Sequence, residues 1–227
     1  MKIAFSTNAY LKFSFRDAAT RLAEAAFAHA GQVCIKAQRV FVHAEVAGSF
    51  RERLLDRIRG NVRFGDPKDP LTVVGPMTSA EAAARVAGWV AAAAERGARV
   101  TRFRAREGNV VPPIVVEGAP LDADVHRKEI FGPVLTLDPV VSFEEGLTRA
   151  DDTVYGLQAS VFTADLDAAL RAEERLTVGA VIVNDVPTFR VDTMPYGGER
   201  ESGLGREGVR DAVHAFTTPR MLVIRRR

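Results

Sequence analysis

"FAHAGQVCIKAQRVFV", Phe27 to Val42, decides how the chain folds. An alanine-rich stretch from Asp17 places Leu22, Ala26 and Phe27 on one face, which predicts a helix running to Ala30. Gly31 is a plausible stop for it. "RVFVH", Arg39 to His43, then alternates polar and apolar residues and reads as a strand. Between helix and strand sits Cys34, the lone cysteine of 227 residues. Two readings of it stay open on residue physics. It is either a nucleophile presented at a helix end, where backbone N–H groups can meet an oxyanion, or a small residue filling a core. The second is the more usual fate of a free cysteine.

Outward from this stretch the pattern alternates. Phe50, Leu54, Leu55, Ile58 and Val62 recur at helical spacing, and "FGDPKDPLTVVGPM" (Phe64 to Met77) carries the glycines and prolines of a loop. Ser79 caps a helix to Arg96. "ARVTRF", "PIVVEG" and "PVLTLDPV" read as strands. Ser142 with Glu145 forms a capping box opening a helix to about Arg149. "QASVFT" is a strand, Asp165 to Leu176 a helix, and "GAVIVND" (Gly179 to Asp185) a buried strand. After a glycine-rich loop, "GREGVRDAVHAF" turns a helix and "RMLVIRR" ends as a strand. Strands alternating with helices define an α/β fold, a mainly parallel sheet with flanking helices.

Composition limits what the protein can be. Hydrophobic residues at 47% and charged residues at 26% suffice for a substantial core. Thirty-one Lys and Arg against 29 Asp and Glu argue for no nucleic acid and no membrane as partner, and Arg225 to Arg227 read as a solvated tail. One cysteine makes no internal disulfide, and His29, His43, His126 and His214 lack ligand spacing, so no metal is expected. No stretch reaches membrane-span length. A cytoplasmic location, which keeps Cys34 a free thiol, is the expectation.

Four motifs follow in order: "AGQVC", "EIFGPV" (Glu129 to Val134), "YGL…VFT" (Tyr155 to Thr163) and "PYGG…SGLGREG" (Pro195 to Gly208). Together they resemble the catalytic domain of the aldehyde dehydrogenase superfamily, over roughly Leu22 to Ile224. The resemblance implies that Cys34 attacks an aldehyde, that hydride passes to NAD or NADP, and that a thioester is then resolved. It implies cofactor-binding roles for Glu129, on the ribose hydroxyls, and Phe131, beside the ring. It implies that Phe189 and Tyr196 wall the aldehyde pocket. Arg190, next to Phe189, is either a grip for an anionic aldehyde or a solvated loop arginine. Gly197, Gly198, Gly203 and Gly205 read as structural.

The chain also departs from that family. No Gly-rich strand-turn-helix precedes Cys34, so most of an N-terminal NAD(P)-binding domain is absent from it. No residue matches the family's general-base glutamate; Asp17 and Glu24 are the acids upstream, so impaired turnover, or none, is the expectation for this chain alone. Residues 1–21 form an atypical strand-helix segment that also resembles the opening of sugar-phosphate isomerase barrels, and is either foreign or an ordinary apolar strand. Residues 22–214 would be the catalytic domain, and 215–227 an oligomerisation-type strand with a basic tail. The partners expected are a small-molecule aldehyde and a second subunit, as a homo-oligomer or with a full-length homologue.

Overall fold

The architecture follows from short β-branched runs separated by amphipathic helices. The computed structural model describes residues 2–5 and 15–226. Seven strands form one sheet: β1 (Lys2–Phe5), β2 (Arg39–His43), β3 (Arg99–Arg102), β4 (Ile114–Glu117), β5 (Val134–Val140), β7 (Gln158–Phe162) and β8 (Ala180–Val183). Their order is β3-β4-β5-β2-β1-β7-β8, parallel throughout except for the antiparallel β3–β4 pair. A two-residue ladder joins β6 (Tyr155–Gly156) to β9 (Glu199–Arg200). The helices are α1 (Phe15–Phe27), α2 (Ala44–Asn61), α3 (Ala80–Glu95), α4 (Asp124–Arg127), α5 (Phe143–Asp151), α6 (Leu166–Arg175) and α7 (Val209–Ala215).

Strand β2 is buried on both faces, as a central parallel strand must be. Val40 and Val42 pack with α1 and α2, in the cluster of Leu22, Phe27, Phe50 and Leu54. Phe41 points the other way, toward Leu147, Ala159 and Ala172. Burial extends to Arg39, which the alternation reads as the solvent side of a half-exposed strand. Its guanidinium instead donates to the carbonyl oxygens of Arg149 (2.6 Å) and Ala150 (3.5 Å) and lies 5.2 Å from the Phe41 ring centroid. Backbone carbonyls exposed at the end of α5 make that burial tolerable.

The helix starts match their signals. Ser79 accepts from the Ala82 N–H, and Ser142 from the Glu145 N–H. Glu145 reaches back to the N–H of Val141 rather than of Ser142, one residue beyond a standard capping box. Two strand readings need adjustment. "GAVIVND" reads as buried, yet β8 is a sheet edge with one neighbouring strand, and Val183 is 43% exposed. "RMLVIRR" forms no strand within this chain, because no described strand offers it a ladder; Met221 to Ile224 stand almost fully exposed.

α1 ends three residues sooner than its alanine pattern suggests. His29, Ala30 and Gly31 all take left-handed backbone, with φ of 52°, 57° and 66°. Such conformations disfavour side chains, and Gly31 has a second reason to lack one. A Cβ on it would lie 2.2 Å from the Gly132 carbonyl oxygen. Gly31→Ala is therefore expected to cost about 3 kcal/mol in urea unfolding. Gly48→Ala, in the interior of α2 with nothing within 4 Å of the added carbon, should stabilise by about 0.5–1 kcal/mol in the same assay.

Candidate active site

The left-handed run turns the chain back so that a tight turn follows, closed by the Lys36 N–H donating to the Val33 carbonyl at 3.1 Å. Cys34 sits inside this turn and is exposed, so it is no core filler. Its backbone N–H has no hydrogen-bond partner among the described residues. Gln32 anchors the turn from below: its side-chain oxygen accepts from the Thr78 N–H at 2.9 Å, tying it to the loop ahead of α3.

The second turn, Lys128 to Val134, is held by two polar residues just after the cysteine. The buried Gln38 amide donates to the Lys128 carbonyl (2.8 Å) and accepts from the Ile130 N–H (2.9 Å). The Lys36 amine, also buried, donates to the carbonyls of Gly132 (2.9 Å) and Val134 (2.5 Å). So pinned, Glu129 projects into solvent while Phe131 is half-buried with a left-handed φ of 45°. Cys34, Glu129 and Phe131 line one cavity of about 240 Å³, with Tyr155, Gln158 and Glu201 on its far side.

A third segment supplies the hydroxyl nearest the thiol. The Tyr196 oxygen lies 2.9 Å from Cys34 Sγ. Backbone bonds between Tyr196 and Glu207, in both directions, fix this residue. Burial pushes the Tyr196 hydroxyl above its ordinary pKa, and the Cys34 contact raises it further. The phenol therefore stays protonated at neutral pH and can donate to a thiolate. The glycines around it serve close approach: a Cβ on Gly197 would lie 2.5 Å from the Gly205 carbonyl oxygen, and one on Gly198 2.5 Å from Ser202 Cβ.

The remaining expected site residues fall nearby but apart. Arg190 stacks over the Tyr196 ring, 4.2 Å from its centroid, with Glu207 at 3.8 Å. Its charge is already engaged with these neighbours. Phe189 lines a separate hollow of about 460 Å³ with His29, Ile35 and Thr188, which shares Val33 with the first cavity. Beneath the Cys34 cavity lies a buried polar layer. Burial, reinforced by Arg39 and Arg149, lowers His126 to about 4. Burial raises Asp138 to about 6 despite the same arginines. At neutral pH His126 is thus uncharged, and its 3.5 Å approach to Asp138 is not an ion pair. The sequence reading missed Gln32, Lys36 and Gln38. Their signal was present: polar residues interrupting an apolar run right at a strand entry.

The aldehyde dehydrogenase family model matches residues 12–222. The 3-sulfolactaldehyde dehydrogenase of Priestia aryabhattai is 38% identical over 207 residues, covering 91% of this chain and 43% of its own length. Aldehyde dehydrogenase 21 from Physcomitrella patens, solved with the reaction product succinate, superposes with a TM-score of 0.86 at 35% identity, covering 94% of this chain and 44% of that one. Glyceraldehyde-3-phosphate dehydrogenase from Methanocaldococcus jannaschii, complexed with NADP, gives 0.85 at 33%, covering 93% and 44%. This chain belongs to the aldehyde dehydrogenase family, and it spans less than half the length of these relatives. No described helix is long and apolar enough to cross a membrane.

The hydroxyl contact yields a direct test. Tyr196→Phe removes a donor to the sulfur and leaves the ring in place. A hydrogen bond to a charged group contributes about 1.5 kcal/mol or more, so iodoacetamide should alkylate Cys34 roughly tenfold more slowly at pH 7.5. An unchanged rate, followed by mass spectrometry, would show that the contact does not activate the thiol.

Proposed function

We propose that this chain carries the catalytic part of an aldehyde dehydrogenase, oxidising an aldehyde to a carboxylic acid through a thiohemiacetal and a thioester on Cys34, with NAD or NADP as hydride acceptor. The observation that carries the reading is the exposed thiol, 2.9 Å from a phenol, on a cavity shared with Glu129 and Phe131. A thiolate adds to the carbonyl carbon, and the Cys34 N–H, which has no partner among the described residues, would meet the oxyanion that results. Tyr196 holds the thiolate before attack. The carboxylates on the cavity wall are Glu129 and Glu201, and the first would accept hydrogen bonds from ribose hydroxyls.

An exposed carboxylate beside a half-buried aromatic ring fits the nicotinamide and its ribose, which is one end of a dinucleotide. Bound there, the nicotinamide would supply the hydride-accepting carbon. Phe189 and Tyr196 would wall the aldehyde. Arg190, stacked on Tyr196, would serve an anionic aldehyde only by leaving Glu207. A reactive free thiol suits a reducing compartment such as the cytoplasm.

A second reading keeps the fold and assigns association instead of turnover: the chain pairs with another copy or with a full-length homologue. The exposed apolar run Met221 to Ile224, at 76–85%, favours it, because such a run ordinarily finds a partner. A third use, cofactor-free ester cleavage by Cys34, rests on the same thiol. Absorbance of NADH or NADPH, followed with short and anionic aldehydes, separates the first reading from the other two. The first reading expects turnover that falls at least about a thousandfold in Cys34→Ala. Turnover that survives the substitution overturns it, and none from folded wild-type protein leaves association or ester cleavage, which activated-ester turnover lost in Cys34→Ala would then distinguish.

A further inference from the structure

We propose that Lys36 is a positioning residue of this site: its amine locks the Cys34 turn to the Glu129–Phe131 turn and brings a positive charge to the cavity that the thiol opens onto. The inference extends the reading of Cys34 as nucleophile.

Three observations support it. First, the amine is placed as a bridge. Lys36 lies two residues beyond Cys34 and donates to the Gly132 and Val134 carbonyls, which flank the bend after Phe131. Both partners are neutral carbonyl oxygens, so neither supplies a countercharge. Second, Lys36 is 4% exposed, and it borders the cavity that Cys34 opens onto. Water cannot screen the charge well there. Third, the charged or titratable side chains on that cavity, besides Cys34 and Lys36, are Arg39, His126, Lys128, Glu129, Tyr155 and Glu201. Of these, Glu129 acts on the amine and favours its protonation, against burial, which pushes the amine down to about 7 from an ordinary 10.5.

Two consequences follow from the geometry. A protonated amine offers three donors and uses two on carbonyls, so losing one proton leaves both bonds available. The clamp then persists while the charge disappears. A cation near a thiol favours the reactive thiolate, so this site has its positive charge at the acidic side of neutrality and loses it above. For this group alone the folded state binds fewer protons than the unfolded state between about pH 7 and 10.5. Its contribution to stability is therefore full above that window and is lost as pH falls through it.

The test needs neither cofactor nor aldehyde, so its failure is distinct from a failure of the dehydrogenase reading. The chain holds only five lysines, at 2, 12, 36, 68 and 128, which makes carbon-13 lysine spectra tractable. One Cε resonance, assigned by its loss in Lys36→Met, should titrate near pH 7. A Lys36 resonance that stays unchanged between pH 6 and 8 would overturn the proposal. Iodoacetamide alkylation of Cys34 then reads the function. Lys36→Met should slow it on the order of fivefold at pH 6.5 and by less than about twofold at pH 8.5. Equal slowing at both values would mean a clamp without a charge role, and no slowing would remove both. Should Lys36→Met fail to fold, Lys36→Arg keeps a cation at all pH values and should alkylate as the wild type does at pH 6.5 but faster than it at pH 8.5. A pH dependence matching the wild type would count against the proposal.

Discussion

Backbone meets backbone where Gly31 lies against the carbonyl of Gly132, and the site depends on that contact. It fixes how closely the turn after α1 can approach the turn before β5. Any side chain at position 31 would push them apart, and with them the thiol, Glu129 and Phe131. The left-handed path through His29 and Ala30 is the means of arriving there. Gln38 and Lys36 then hold the second turn by its carbonyls and one N–H. The geometry around Cys34 is thus set by main-chain groups, with buried polar side chains as braces, and exposed side chains are left to meet ligands.

The sheet explains why three distant motifs converge. Cys34 precedes β2, Glu129 and Phe131 precede β5, and Tyr155 immediately precedes β7 across Leu157. These three strands run parallel, so their entry loops must lie at one edge. Open α/β folds more often bind ligands at the carboxyl ends of their strands. Here the cavity is at the amino ends, and its floor is made of the first residues of the strands, Arg39 and Gln158. That placement puts buried polar side chains under the site, where low screening strengthens every charge.

Much of this was legible. The periodicity of Phe50, Leu54, Leu55 and Ile58 gives α2, and Ser79 and Ser142 mark their helices, because capping and amphipathicity are local properties. The four ordered motifs gave the family and the fold class. What escaped was set by distance. Nothing near Arg39 announces that carbonyls over a hundred positions away will receive its guanidinium. β8 reads as buried because its composition is apolar, while its edge position is a fact of topology. Arg190 looked free for a substrate, and only the fold brings Tyr196 beneath it. The C-terminal run has the composition of a strand, but a strand needs a neighbour, and none of the described strands provides one.

The place of β1 carries one more consequence, for how the sheet is assembled. Its four residues pair with β2 on one side and with β7 on the other, so they form the seam between two halves of the sheet. The seam is made by residues 2–5, yet their second partner lies near position 160. Until that partner has been synthesised, the edge of β1 that will meet β7 stays unpaired by it. Closure then joins segments far apart in sequence, the type of contact that slows folding most. An early strand waiting for a late one is also an exposed template for other chains, which makes the order of synthesis part of the physics of this fold.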